Sequence, residues 1–132
     1  MAAVALFQID AIRHLPDPPV DGFDSELVSA PDRASVWGVP DGFCKFTAHA
    51  VMLVLAAAWT SDRAGRRPWF PFLAAGFALG QAIAAGRAVV RMPKVDKAWC
   101  GYRLIDAAVH FVTAVIMVPA AIMTLCRCMR RP

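Results

Sequence analysis

The chain has 132 residues, of which 58% are apolar and 18% are charged, and its formal charge is +4. A water-soluble domain of this length needs more polar surface than that composition supplies, so we interpret the chain as an all-α integral membrane protein. The length allows a single domain, residues 1–132. Nucleic acid is excluded as a partner, because the basic residues sit at the ends of apolar stretches with no aromatic-basic surface motif.

Residues 1–13 form the first predicted element, a helix that is apolar apart from Gln8, Asp10 and the closing Arg13. About 20 helical residues are needed to cross a bilayer, so this segment is too short to cross alone. It lacks the basic start and the cleavage site of a signal peptide. We interpret it as a shortened first membrane helix, which the choice of start codon would explain.

Residues 14–42 form a long outer loop. The prolines of His14-Leu15-Pro16-Asp17-Pro18-Pro19 exclude a helix at its start. We predict an ordered segment without regular secondary structure, which ends in a turn at Gly38–Gly42 and caps the helices. Its many acidic residues suit the outer face of the membrane, although acidic residues are weak topology signals.

Three longer apolar stretches follow, and we predict helices at 43–60, 69–91 and 100–127. Gly76, Gly80 and Ala84 place small residues at every fourth position of the second of these, which predicts close helix contact there. Together with residues 1–13 the stretches predict a four-helix bundle.

Charge placement orients this bundle. The connection 61–67 and the tail 126–131 each carry three arginines, which favours a cytoplasmic position for both and places both termini inside. One loop argues against this topology, since it is placed outside and yet is rich in cations: Arg87, Arg91, Lys94 and Lys97.

Four short pieces occur in order along the chain: Ser25–Ala30, Gly38–Asp41, Arg67–Trp69 and Ala98–Tyr102. Their order and spacing, with the proline-rich loop, resemble the vitamin K epoxide reductase (VKOR) family over nearly the whole chain, above all its short bacterial members. The resemblance implies a multi-pass protein of the bacterial inner membrane, with four helices around a quinone such as ubiquinone or menaquinone. It also implies a Cys-x-x-Cys at the outer end of the last helix and a periplasmic thioredoxin-like redox partner, with membrane lipid around the bundle.

The chain departs from that family pattern at its thiols. Arg103 stands where the second cysteine of the Cys-x-x-Cys is expected, and the outer loop contains no cysteine. Cys100 remains at a helix N-terminus three residues before a guanidinium, which favours its thiolate. Cys44 begins the second helix on the same membrane face and can replace the missing thiol if the two Cα atoms lie within about 7 Å. Alternatively, Cys44 is a small apolar packing residue.

The last helix carries a second candidate site. Arg103, Asp106 and His110 are spaced by three and four residues and so share one helix face. Asp106 and His110 would relay protons to a quinone or hydrogen-bond its carbonyl. The alternative is structural, with Asp106 neutralising Arg103. Further quinone-binding candidates, each also explicable as polar contacts or interface anchors, are His49, Gln81, Trp99 and Tyr102.

Cys126 and Cys128 lie in the basic tail, and their spacing alone does not predict a metal site. Two functions therefore remain open from the sequence. The first is a quinone-linked thiol and disulfide oxidoreductase with an incomplete dithiol, using Cys100, Arg103 and Cys44. The second is a catalytically inactive quinone-binding or structural membrane protein that retains the fold.

Overall fold

The computed structural model describes residues 1–36, 38–60 and 69–129. The chain is mostly helical, and its helices are α1 Ala2–Gln8, α2 Ser25–Ser29, α3 Asp41–Thr60, α4 Phe70–Arg91 and α5 Gly101–Met129. Two short strands, β1 Ser35–Val36 and β2 Val39–Pro40, pair antiparallel. A π-helical segment, Met92–Asp96, continues α4. Parts of the segments named above lie outside the described residues. They are Trp37 in the outer loop, the connection 61–68, residues 130–132 and the side chains of Val36, Thr60, Arg127 and Cys128.

Three helices in the described part of the chain are long and apolar enough to cross a membrane. They cover Asp41–Trp59, Phe70–Asp96 and Gly101–Cys126. Large apolar side chains on these helices face outward; Leu53 is 71% exposed and Val115 is 72% exposed. Such a surface is unfavourable in water and matches the hydrocarbon of a bilayer. The composition and the outward-facing side chains thus agree on a membrane protein.

Helix α1 is shorter than the helix predicted for residues 1–13. It ends at Gln8, and Asp10 follows with a φ of 58°, which turns the chain out of the helix. At 1.5 Å per residue, a seven-residue helix is about 10 Å long and does not cross a bilayer. It packs beside the start of α3, next to three candidate spans.

The outer loop contains regular structure, contrary to our prediction of an irregular segment. Helix α2 begins after Asp24, whose Oδ1 accepts a hydrogen bond from the Leu27 amide at 2.7 Å. Gly38, with a φ of 80°, lies in the connection between β1 and β2. The segment is tied to the start of α5, because the Trp99 amide donates to the Gly22 carbonyl at 2.8 Å. Local capping interactions therefore build a short helix beyond the proline-rich stretch, which itself contains no helix.

One buried side chain joins α1 to α3 and to residues 14–40, which are called the outer segment here after their predicted position. Gln8 is 6% exposed, and its Nε2 donates to the carbonyls of Ser29 at 3.0 Å and Ala34 at 3.2 Å. Its Oε1 accepts from the Gly42 amide at 2.8 Å. A β-carbon at Gly42 would lie 2.8 Å from the Ala5 amide nitrogen, so only glycine fits against α1 there.

Helices α4 and α5 form the most extensive helix contact, and alanines line it. Ala78, Ala82 and Ala114 form one buried cluster. Our prediction that Gly76 and Gly80 mediate the contact is wrong, because both are exposed and no described heavy atom outside their own helix lies within 4 Å of an added β-carbon. Two residues of helix rotate the chain by about 200°, so positions 76 and 80 face away from the alanine stripe.

Candidate functional site

A network of charged and polar side chains, here called the α3–α5 network, lies between the first turns of α3 and α5. On α3 its members recur at every fourth residue, so they share one face. On α5 they recur at intervals of three and four. The six members are Asp41, Lys45, His49, Arg103, Asp106 and His110.

Asp106 is the centre of the network, and its side chain is 2% exposed. The Lys45 Nζ lies 3.4 Å from its Oδ2. The His49 Nε2 lies 2.8 Å from its Oδ1, and the His110 Nε2 lies 3.5 Å from the same oxygen. A buried carboxylate is strongly unfavourable without such partners, so the three side chains explain how Asp106 is accommodated inside the bundle.

The two imidazoles stack on each other, with ring centroids 4.6 Å apart and planes inclined by 4°. Their nitrogens and the Asp106 carboxylate lie within 4.8 Å of one another, which is close enough to consider a metal ion. A ligating nitrogen directs its lone pair in the ring plane, however, and two stacked parallel rings do not direct their lone pairs at one point. Lys45 adds a cation beside the same carboxylate. The arrangement suits hydrogen bonding and proton sharing better than chelation.

Arg103 does not pair with Asp106 as the structural alternative above supposed. Its Nη2 lies 3.3 Å from Asp41 Oδ2 and donates to the Val28 carbonyl at 3.1 Å. Asp41 also pairs with Lys45 at 3.3 Å. Each carboxylate of the network therefore contacts a cation on the other helix. Asp41 contacts Arg103, and Asp106 contacts Lys45.

Cys100 is fully enclosed, with 0% exposure. It packs with Val28, Met92 and Ala98, and its Sγ lies 3.8 Å from the Ser29 hydroxyl oxygen. In this environment the thiol has the contacts of a small packing residue. Cys44, Cys100 and Cys126 are free thiols.

A cavity of about 390 Å³ opens beside the network. It lies between the first half of α3, the last turns of α4, the start of α5 and the chain before and within β1. Its walls are Arg33, Ala34, Ser35, Asp41, Cys44, Lys45, Ala48, Gln81, Ala84, Ala85, Arg87, Ala88, Arg91, Arg103, Asp106 and His110.

The cavity brings together five of the side chains selected from the sequence: Cys44, Gln81, Arg103, Asp106 and His110. The other four lie elsewhere. His49 contacts Asp106 behind the cavity wall, and Cys100 is enclosed as described. Tyr102 donates from its hydroxyl to the Pro16 carbonyl at 3.3 Å, and Trp99 bonds to the outer segment through its backbone.

Asp41 and Lys45 were not selected from the sequence, although their four-residue spacing with His49 indicates a polar helix face. Nor were Arg33, Arg87 and Arg91 selected as site residues. Nothing in the local pattern shows that the segment before β1 and the end of α4 meet, since 54 positions separate Arg33 from Arg87 along the chain.

Comparison with protein-family models, with curated proteins and with solved structures gives no match for this chain. The fold and the site define a helical protein with three candidate membrane spans and a polar cavity at one end of them.

Proposed function

We propose that this chain is a multi-pass inner-membrane protein with a VKOR-like arrangement, in which α1 supplies a shortened fourth helix, and that it binds a quinone headgroup in the cavity. One observation carries the proposal: Gln81, Asp106 and His110 line the same cavity between three apolar helices. Polar groups that converge in a mostly preformed cleft are the usual composition of a small-molecule site.

The chemistry of the walls suits a quinone ring. The carbonyls of a quinone accept hydrogen bonds, and the Gln81 amide and the Lys45 ammonium are donors on the cavity wall. Small apolar side chains supply a flat surface for the ring on the other walls: Ala48, Ala84, Ala85 and Ala88. The isoprenoid tail of the quinone would extend into the surrounding lipid.

The network also supplies a route for protons. A quinone takes up two protons with two electrons when it becomes a quinol. The His49 and His110 nitrogens both lie near Asp106 Oδ1, so a proton delivered at the cavity wall is replaced through hydrogen-bonded neighbours. Substitution of His110 would remove one of the two exchangeable imidazoles beside Asp106 and slow this step.

A second candidate function, thiol and quinone oxidoreduction, rests on the position of Cys44 in the cavity wall. Two thiols, Cys44 and one of a soluble dithiol protein, would become a mixed disulfide, and their two electrons and two protons would convert the quinone to the quinol. The second thiol of the donor would then attack the mixed disulfide, releasing Cys44 as a thiol and the donor as a disulfide. Cys100 has no place in this scheme.

Quinone binding is tested with the full chain in detergent micelles, titrated with a short-chain ubiquinone and a short-chain menaquinone and followed by tryptophan fluorescence. We expect Gln81→Leu and His110→Gln to raise the Kd at least tenfold. The Gln81 side chain makes no hydrogen bond in the described part of the chain, so Gln81→Leu breaks no side-chain hydrogen bond of the fold. The control is His14→Gln, an exposed histidine outside the cavity. Equal quenching in all four proteins would show simple partition into micelles and would overturn the proposal.

The redox candidate is tested by mixing the protein with a reduced thioredoxin-like dithiol donor and a water-soluble quinone. We expect turnover that Cys44→Ser abolishes and Cys100→Ala retains, because Cys100 is enclosed. Turnover at background in the unsubstituted protein would exclude this activity and leave the quinone-binding role, which the titration tests separately.

A further inference from the structure

Three arginines form the outer rim of the cavity, here called the cavity mouth: Arg33, Arg87 and Arg91. All three are exposed. The Arg91 Nη2 donates to the Arg33 backbone carbonyl at 3.5 Å, which holds the end of α4 against the segment before β1. Arg87 lies one turn earlier on α4 and so on the same face as Arg91.

Among the residues that the structure describes, the arginines of the cavity mouth have no acidic partners. The two carboxylates of the cavity, Asp41 and Asp106, pair with Lys45 and Arg103. Within residues 1–36, 38–60 and 69–129, no carboxylate forms an ion pair with an arginine of the mouth. Five cationic side chains against two carboxylates leave the lining with an excess of three positive charges. Arginines held around a concave surface without counter-charges attract an anion.

The mouth also accounts for two of the four cations that oppose the predicted topology, Arg87 and Arg91. Arg87 and Arg91 lie in the last two turns of α4, in the half of the span Phe70–Asp96 that is farther from its first residue. The positive-inside tendency does not explain arginines at an end that is predicted to lie outside. A role in the cavity does, since both side chains line it. Long arginine side chains in the last part of a span extend toward the headgroup level.

We propose that the cavity mouth binds a phosphate group, held between Arg87 and Arg91 on α4 and Arg33 on the outer segment. The planar guanidinium binds phosphate oxygens through paired N–H donors, which a lysine ammonium does not reproduce. The phosphate belongs either to an anionic lipid headgroup or to a soluble phosphate. This site goes beyond the quinone site, which lies deeper against Gln81 and His110, and it does not depend on a quinone being bound.

The site is tested with full-length protein in a non-ionic detergent by native mass spectrometry. The probes are short-chain phosphatidylglycerol, short-chain phosphatidylcholine and inorganic phosphate. The site variant is the double substitution Arg87→Gln and Arg91→Gln. The matched control removes two positive charges outside the cavity, by Arg13→Gln and Lys94→Gln, both at exposed positions. A second site variant, Arg33→Gln, leaves α4 unchanged.

We expect phosphatidylglycerol to bind at least tenfold more tightly than phosphatidylcholine, and both site variants to lose this preference while the control keeps it. If inorganic phosphate binds with the same dependence on the mouth arginines and displaces the lipid, the natural source is a soluble phosphate and the site stands. Equal retention of phosphatidylglycerol by unsubstituted, site-variant and control proteins would overturn the proposal. Loss in the control as large as in the site variants would also overturn it, because it would show a general charge effect.

Discussion

The Asp106 carboxylate is the shared partner of three other side chains: Lys45, His49 and His110. It is enclosed between Lys45 on α3 and the two stacked histidines. Replacing it with asparagine keeps its shape and removes its charge, so the Lys45 ammonium, whose side chain is 15% exposed, loses one of its two counter-charges. We expect Asp106→Asn to lower the free energy of unfolding by about 3 kcal/mol, the usual consequence of breaking a buried pair.

This loss is measured by denaturant unfolding in detergent, with Asp21→Asn, an exposed loop position, as the control. The double substitution Asp106→Leu and Lys45→Met removes both charges and should recover part of the stability, because an apolar pair avoids the desolvation of two ions. An Asp106→Asn protein as stable as the unsubstituted one would contradict the central place given to this carboxylate.

Gln8 is a second buried side chain with several partners, and its contacts are hydrogen bonds to neutral backbone groups. Gln8→Leu would leave the Ser29 carbonyl and the Gly42 amide without a hydrogen-bond partner, whereas the Ala34 carbonyl would keep its bond from the Asp41 amide. Each buried group left unpaired costs about 1–3 kcal/mol, so we expect a loss of at least about 2 kcal/mol of unfolding free energy. Gln8→Glu keeps an acceptor for Gly42 but loses both donors and places a buried carboxylate against two carbonyl oxygens, so its Tm should fall at least as far as that of Gln8→Leu. A Gln8→Leu protein with an unchanged Tm would show that water replaces these contacts.

For single residues, the sequence predicted which ionisable side chains lie within the apolar helices. It did not predict which side chains they contact. His49, Asp106 and His110 were selected because ionisable groups inside an apolar stretch are rare and need contacts. Their assembly requires α3 to lie against α5, and no local pattern contains that information. Arg103 illustrates the limit: its helix neighbour Asp106 suggested a pair, and the structure gives it Asp41 from another helix.

Helices α4 and α5 illustrate packing at the scale of elements. Their contact stripe consists of alanines that let the two backbones approach closely. Ala78 is 1% exposed, so a larger side chain there would push the helices apart. We expect Ala78→Leu to reduce the free energy of unfolding by about 1–3 kcal/mol through overpacking.

The matched comparison is Gly80→Ala, where open space surrounds the new methyl group. Alanine is the better helix former by about 1 kcal/mol, so this variant should be as stable as the unsubstituted protein or more so. Thermal unfolding of both variants in the same detergent measures the difference. If Gly80→Ala destabilised as much as Ala78→Leu, the stripe of Gly76 and Gly80 would be a contact surface after all.

The long apolar helices could be predicted from the sequence because length and hydropathy are local properties. Helix α3 begins at Asp41 where residue 43 was predicted, and α5 extends to Met129 beyond the predicted residue 127. The strands β1 and β2 and the helix α2 were missed. Two-residue strands carry no periodicity, and α2 depends on the Asp24 cap and on contacts with distant chain.

The environments of two cysteines at the same end of the helices differ in the folded molecule. Cys44 lies in the cavity wall, whereas Cys100 is enclosed under the outer segment. We expect a small water-soluble maleimide to modify Cys44 at least tenfold faster than Cys100 in isolated membranes. Peptide mass spectrometry after timed quenching measures both rates, and unfolding in hot detergent before labelling should make them equal. Equal rates in the folded protein would mean that the outer segment opens readily over Cys100.

Hydrogen bonds hold α1 and the outer segment to the longer helices, and they determine the expected result of limited proteolysis. Residues 18–21 are exposed, and both sides of this stretch are held to the rest of the molecule. Before the stretch, the Gln8 side chain accepts a hydrogen bond from the Gly42 amide, which holds α1 to α3. After the stretch, the Gly22 carbonyl accepts a hydrogen bond from the Trp99 amide, which holds the segment to the start of α5. A protease that cuts between Pro18 and Asp21 would therefore leave a nicked protein whose two fragments stay together in mild detergent and separate only on denaturation.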